Sequence, residues 1–405
     1  MANYKFRRRV KSAIKYLSQL HLYFARYLEL RQDERKAIRV GLSSKGTQRK
    51  VFNLDLHIGV IPDIAEELES WGVATVQWSI SLSNAYIKER RPIPDPVRHV
   101  NSRKWHLLDA ERIERFQKRY GKFLANFDGF VCTYPPTFAE LFSNLGKPIL
   151  VMSATRYETP YSEREDEWGK FNKHLVAGVK SGSISLYANN KGDADYINFF
   201  TGLSVPVSPS LCRKPISQRR NNGLRVIISK DDGLANLVER QTARKFQKAS
   251  ILGSPYSWND LVSCEEVFVL PQNISTMTLF ELASAGVPVA VPGPEWTKSL
   301  INDGFSIMGE LTFHQLLNLP ISVDRKGSPI DYLSASYLDW WLLRADFYNT
   351  ELMPNVRIVR NMEELIKGES TRTTFGMSYE KVIRERNERI QSARRNMIEA
   401  FLNKM

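Results

Sequence analysis

"LPQNISTMTLFELASAGVPVAVP", residues 270–292, decides the fold. An apolar strand ends on a polar loop, a helix opens at Ser275-Thr276 with Glu281 inside it, and Gly286 returns the chain to a second apolar run. Strand–helix–strand units of this length build parallel, doubly wound sheets. Two readings fit: an ordinary core unit, or the half-site that holds a nucleotide beyond the carboxyl ends of the strands. In the second, Ser275 and Thr276 cap the helix and its free N–H groups favour a phosphate. Gln272 and Asn273 line the loop, and Glu281 accepts hydrogen bonds from ribose hydroxyls. No G-x-G-x-x-G or P-loop pattern occurs, which argues against a dinucleotide or Walker site.

Working outward, the alternation continues on both sides. Strands are predicted over 38–42, 74–78, 129–133, 149–153 and 184–188, with helices over 63–70, 109–126, 137–145 and 193–200. The proline- and serine-rich stretch 204–223 marks a linker. A second series follows: strand 224–229, helix 235–248, strand 267–270, helix 277–285 and strand 287–291. An aromatic segment, 332–348, reads as helical, and an amphipathic basic helix over 379–402 closes the chain. The expected fold class is α/β, two Rossmann-like domains facing a cleft, as in a modified GT-B architecture. Its parts are a basic amphipathic N-terminal helix (1–36), an acceptor-side domain (37–205), a nucleotide-sugar domain (206–370) and a basic C-terminal helix (371–405).

The chain has 405 residues and a formal charge of +13. Residues 1–50 hold 14 Lys/Arg against 3 Asp/Glu, and residues 371–405 hold 8 against 4, so the body is close to neutral. No nucleic-acid module accompanies the charge; basic amphipathic ends read more easily as an edge that meets anionic lipid. No run is long and apolar enough to span a bilayer, and no secretory signal is evident. Cys132, Cys212 and Cys264 lie far apart, which fits a reducing cytoplasm. His99, His106, His174 and His314 lack ligand spacing, so no metal is expected. His57 and the loop 77–92 could border the acceptor side, but read more readily as core or loop positions; "LYANNKGDADYINFFTG" (186–202) reads as a strand, a polar turn and a helix near the cleft.

Two further strand ends are unusually polar. "LRVIISKDDGL" (224–234) delivers Ser229, Lys230, Asp231 and Asp232 to the sheet's carboxyl edge. The bland reading is an Asp-Gly turn; the chemical one is a carboxylate nucleophile or base beside a lysine. "KPILVMSATRYETPYS" (147–162) delivers Arg156, Tyr157 and Glu158. Arg156 offers a planar fork for a carboxylate or phosphate, against the plainer reading of an Arg–Glu surface pair.

Taken together, "SATRYETPYS", "SKDDGL" and "PQNISTMTLFELASAGVPVAVP" resemble the retaining β-Kdo transferases of bacterial surface polysaccharide assembly, glycosyltransferase family 99, over about residues 35–400. The resemblance implies CMP-β-Kdo as donor, CMP as product, a galactose-containing lipid-linked glycan as acceptor, and no cofactor. It implies Asp232 as nucleophile and Glu158 as the essential acid of the first domain, with Asp231 one residue from that role. Arg156 and Lys230 would meet the sugar's carboxylate, and Ser229 and Tyr157 would border the site. It also implies further transferase domains in a longer protein, and a cytoplasmic location, peripheral at the inner face of the bacterial inner membrane. Against this stand a GT-B transferase using another nucleotide sugar and a non-catalytic membrane-peripheral scaffold.

Overall fold

The structure is a computed structural model. It describes residues 32, 34–42, 48–56, 60–80, 97–101, 103–162, 164–214, 222–253, 256–309, 334, 336–371, 374 and 376–405. Residues 1–31 of the expected N-terminal helix (1–36), His57, and most of the loop 77–92 lie outside them, as does the middle of the linker, 215–221.

Among the described residues, the strands form two five-stranded parallel sheets. The first comprises β1 (Lys50–Asp55), β2 (Ala74–Ser79), β3 (Gly129–Cys132), β4 (Ile149–Ser153) and β5 (Ile184–Ala188), in the order β2-β1-β3-β4-β5. The second comprises β6 (Arg225–Ile228), β7 (Phe246–Lys248), β8 (Glu266–Val269), β9 (Val289–Pro292) and β10 (Val356–Val359), in the order β10-β9-β8-β6-β7. Renumbered within its own domain, the second order is the same as the first, so each domain is Rossmann-like and the expected two-domain α/β architecture of the GT-B type holds. In each, the connections reverse direction between the first and third strands. Ligands of open α/β sheets settle at such switch points.

One predicted strand is corrected. Residues 34–42 are helical, buried at Glu34, Ala37 and Gly41, the spacing of one helix face. Glu34 anchors that helix by accepting from Arg119 Nη2 at 2.7 Å and Tyr120 Oη at 2.8 Å, with Arg98 at 2.9 Å. The first strand is instead Lys50–Asp55, hidden in the sequence because it carries Asn53 and Asp55 inward. Asn53 Nδ2 donates to Val131 O at 2.9 Å, and Asp55 accepts from Thr133 and Tyr134 N–H at 3.2 and 3.1 Å. The helix predicted to reach residue 248 stops at Gln241, and β7 follows. The segment 137–145 forms two 3-10 turns, and helix Glu165–Ser181 is additional to the predicted set.

The terminal helix Tyr379–Leu402 runs from the second domain to the first. Asn387 Nδ2 donates to Ser284 O at 2.9 Å and Arg386 Nε to Leu352 O at 2.8 Å. Further along, Met397, Ile398, Phe401 and Leu402 pack with Val51, Val131, Leu150 and Met152 of the first sheet. A Cβ at Gly129 would lie 2.8 Å from Phe401, so the absence of a side chain there lets the helix approach. Its apolar face is therefore covered by protein. Six basic and four acidic residues lie in the helix, and the two surplus cations, Arg386 and Arg394, are buried. The exposed charges cancel, which corrects the reading of this helix as a basic lipid-facing edge. Among the described residues, no helix is long and apolar enough to cross a membrane.

Candidate functional site

At the second switch point, Ile228 of β6 pairs with Val269 of β8, so both strands release their loops at the same level. The first loop carries Ser229–Gly233. Asp231 is the N-cap of helix Asp232–Gln241, its Oδ1 accepting from Leu234 N–H at 2.9 Å. Its Oδ2 accepts from Ser306 N–H at 2.7 Å. Those backbone donors, Leu234 first and then Ser306, hold its pKa below the ordinary aspartate value. Ser229 folds back on the same turn, accepting from Asp231 N–H at 2.9 Å. Lys230 and Asp232 are exposed. Of the two adjacent aspartates, one is committed to the backbone and the other is open.

The second loop, Pro271–Thr276, leads into helix Met277–Ala285. The expected side-chain cap is not formed. Thr276 occupies the N-cap in extended geometry without bonding the helix, and its hydroxyl donates instead to Asn273 O at 3.4 Å. Ser275 is drawn into the domain interface, where Asn189 Nδ2 reaches it at 3.3 Å. The helix has no acidic residue in its first turn. Gln272 Nε2 donates to Ser306 O at 3.0 Å. Glu281 is buried beside the linker, where it and Asp63 add to the burial that pushes the Cys212 thiol up. It does not stand on an open face.

Loops from the first domain meet these directly. Arg156, on the loop after β4, pairs with Asp193 and donates through Nη2 to Asn273 Oδ1 at 3.1 Å. Its guanidinium lies 3.9 Å from the centre of the Trp341 ring. Burial works against its charge, but Asp193 leads the groups that outweigh it and raise its pKa. Asn190 caps helix Lys191–Thr201 by accepting from Asp193 N–H at 2.7 Å, and so sets the carboxylate's position. A Cβ at Gly192 would lie 2.5 Å from Ile274 and 3.1 Å from Trp341, which is how closely the second domain presses here. Asp346 N–H donates to Ile274 O at 2.9 Å. Its carboxyl pKa is pushed well above the ordinary value by burial, with Ser275 pulling it down and Asp193 adding to the rise. Glu158 is 0% exposed and accepts from Tyr196 Oη at 3.0 Å. Tyr157 donates to Asn172 Oδ1 at 2.8 Å within an aromatic cluster.

The structure thus joins Arg156, Asn273 and Ser275 into one buried interdomain cluster. Gln272, Asp231 and Ser229 lie at the carboxyl edge of the second sheet, where Lys230 and Asp232 are open to solvent. Asp193, Asn189, Trp341, Tyr196 and Asp346 belong to the cluster; none was singled out as a site residue from the sequence, although Asn189, Asp193 and Tyr196 lie in the stretch 186–202 expected near the cleft. Their partners lie far away in the chain, and only the capping pattern Asn190-x-x-Asp193 is visible locally.

No protein-family model matches the chain, and no curated protein matches it in sequence. Solved structures do align with it. A glycosyltransferase of kitacinnamycin is 12% identical with a TM-score of 0.41, over 88% of this chain and 98% of that one. The spinosyn forosaminyltransferase SpnP is 12% identical with a TM-score of 0.34, over 64% and 84%. The glycosyltransferase SnogD from Streptomyces nogalater is 14% identical with a TM-score of 0.30, over the same shares. These scores are low, and the architecture stands on the two strand orders themselves.

Proposed function

We propose that the chain is a glycosyltransferase whose nucleotide donor binds at the second domain's switch point. The observation that carries this reading is the pairing of two polar loops, 229–233 and 271–276, at adjacent strand ends beside the N-terminus of a helix with no acid in its first turn. Backbone N–H groups there suit a departing phosphate. The sequence resemblance refines the donor to CMP-β-Kdo and the acceptor to a galactose-containing lipid-linked glycan, with retention of configuration and no cofactor.

In this reading, Asp232 attacks the anomeric carbon as the bond to the CMP phosphate oxygen breaks, and CMP departs with that electron pair. The acceptor hydroxyl then attacks the same carbon and releases Asp232, its proton passing to Glu158. Two inversions give net retention. The exposure of Asp232 supports its role, and the commitment of Asp231 to two backbone amides favours it over its neighbour. Arg156 and Glu158 are sealed in the described conformation. They meet a substrate once the second domain, carrying Asn273 and Trp341, moves off Arg156 and Tyr196. We assign anionic-membrane contact to the basic residues 1–31, which hold the surplus charge that the terminal helix does not display.

Calorimetry with CMP, UMP and GMP, followed by transfer assays with enzymatically generated CMP-Kdo and galactose-terminated acceptors, tests the reading. Preferential CMP binding and Kdo transfer are expected. Binding of another nucleotide in its place moves the donor assignment, and binding of none removes it.

A further inference from the structure

The segment Phe305–Gly309 lies across the second switch point and is tied to both of its loops. The backbone of one residue makes two of the ties: Ser306 N–H donates to Asp231 Oδ2 at 2.7 Å, and Ser306 O accepts from Gln272 Nε2 at 3.0 Å. Met308 N–H adds a third, to Pro271 O at 2.9 Å. Met308 itself has φ +54°, a left-handed conformation that a residue with a side chain adopts only when its surroundings enforce it. Its side chain and that of Ile307 are buried. The segment is therefore a fixed wall. It also passes within contact distance of Gln272, since a Cβ at Gly309 would lie 3.5 Å from Gln272 Oε1.

We propose that Asp231 is a positioning residue of the donor crevice: by holding the Ser306 backbone against Gln272, it builds the third wall that decides which nucleotide base fits. The proposal rests on the donor assignment above and deepens it. Asp231 then has two duties on its two oxygens, the helix cap through Oδ1 and the wall through Oδ2. A serine at that position retains a good cap but lacks the second oxygen, so the two duties can be separated. Neither duty involves the reacting atoms, in contrast to the exposed Asp232.

Hydrogen–deuterium exchange on the full chain reads the wall, and calorimetry with CMP and UMP reads the crevice. In Asp231→Ser, amides of residues 305–309 should exchange on the order of tenfold faster, as expected for loss of a charged hydrogen bond. CMP should bind about tenfold more weakly and its preference over UMP should narrow, while helix Asp232–Gln241 stays protected. Gln272→Ala, which leaves the cap untouched, should give the same pattern with a smaller amplitude. Unchanged exchange at 305–309 in both variants overturns the proposal. So does faster exchange with both CMP affinity and the CMP-over-UMP preference intact. Failure of the unmodified chain to bind any nucleotide overturns the donor assignment, and with it the role of the wall in base fit. The exchange measurement still decides whether Asp231 holds the wall.

Discussion

Arg394 and Asp63 meet at 3.0 Å across 331 residues of sequence, and through them the terminal helix is fastened to the first domain. Arg394 Nη1 also donates to Pro209 O at 3.1 Å, and Asp63 Oδ1 accepts from Leu211 and Cys212 N–H at 3.0 and 2.7 Å. Ser284 of the second domain donates to Cys212 O at 2.6 Å. The buried ion pair thus joins a first-domain helix, the linker and the terminal helix, and Ser284 ties the same linker turn to a helix of the second domain.

Removing one partner from a buried pair leaves the other charge without compensation. Arg394→Ala is expected to destabilise the chain by about 3–5 kcal/mol in denaturant unfolding. Its exposed neighbour is a control: Arg395→Ala should stay within about 0.5 kcal/mol of the unmodified chain. Similar losses in the two variants would remove the fastening role from Arg394.

The cluster around Arg156 makes a second, separable prediction. Arg156→Ala leaves Asp193 buried and strips Trp341 of its cation, so a loss of about 3–5 kcal/mol is expected. Because Asn273 and Trp341 belong to the second domain, the scattering-derived radius of gyration should also rise. Arg156→Lys keeps the charge but cannot span Asp193 and Asn273 with a planar fork, and should fall between. A destabilised variant with no change in shape would restrict Arg156 to the first domain's own stability.

Asp346 sets a pH dependence whose sign follows from its raised pKa. The folded state holds the proton, while the unfolded chain releases it near the ordinary aspartate value of about 3.9. Below that value both states are protonated and the contribution is constant. Above it, stability falls by up to about 1.4 kcal/mol per pH unit until the folded-state pKa is reached. Asp346→Asn, neutral and nearly isosteric, should remove this slope and gain stability relative to the unmodified chain as pH rises. Parallel pH profiles of the two proteins in denaturant unfolding would show that Asp346 is not the titrating group.

How much of this was legible in sequence varies with the range of the forces involved. The boundaries of helices Met277–Ala285 and Tyr379–Leu402 follow from periodicity and from the left-handed Gly286 (φ +68°) that ends the first. The alternating strands betray the two sheets for the same reason. Lys50–Asp55 escaped because Asn53 and Asp55 are satisfied by β3 and the residues after it, a contact no local pattern records. Residues 38–42 look strand-like by composition, yet Glu34 and its arginines hold them helical. The terminal helix was read correctly as amphipathic and basic, but sequence does not tell which arginines turn inward. In the site, the polar loops were visible, whereas the pairing of Arg156 with Asn273 spans 117 residues and required the fold. The adjacent aspartates are indistinguishable by type. Only the backbone turn that makes one of them a cap separates them.

That separation gives the most direct test of the proposed chemistry. With CMP-Kdo and no acceptor, attack by Asp232 should leave one Kdo residue attached to the protein, accumulating where the second step is slow. Intact-protein mass spectrometry reads the added mass, and peptide mapping should place it between Asp231 and Arg240. Asp232→Asn should abolish both adduct and transfer while leaving CMP affinity nearly unchanged, because a nucleophile contributes to the barrier and little to ground-state binding. Asp231→Ser should behave in the opposite way, binding CMP more weakly yet still forming the adduct at saturating donor. Glu158→Gln should form the adduct and fail to pass the sugar on, since its role begins only when the acceptor hydroxyl must lose its proton. A fully active Asp232→Asn variant would exclude the nucleophile assignment. An adduct mapped to Asp231 would contradict the commitment of its two oxygens to Leu234 and Ser306, and would require that turn to open during the reaction.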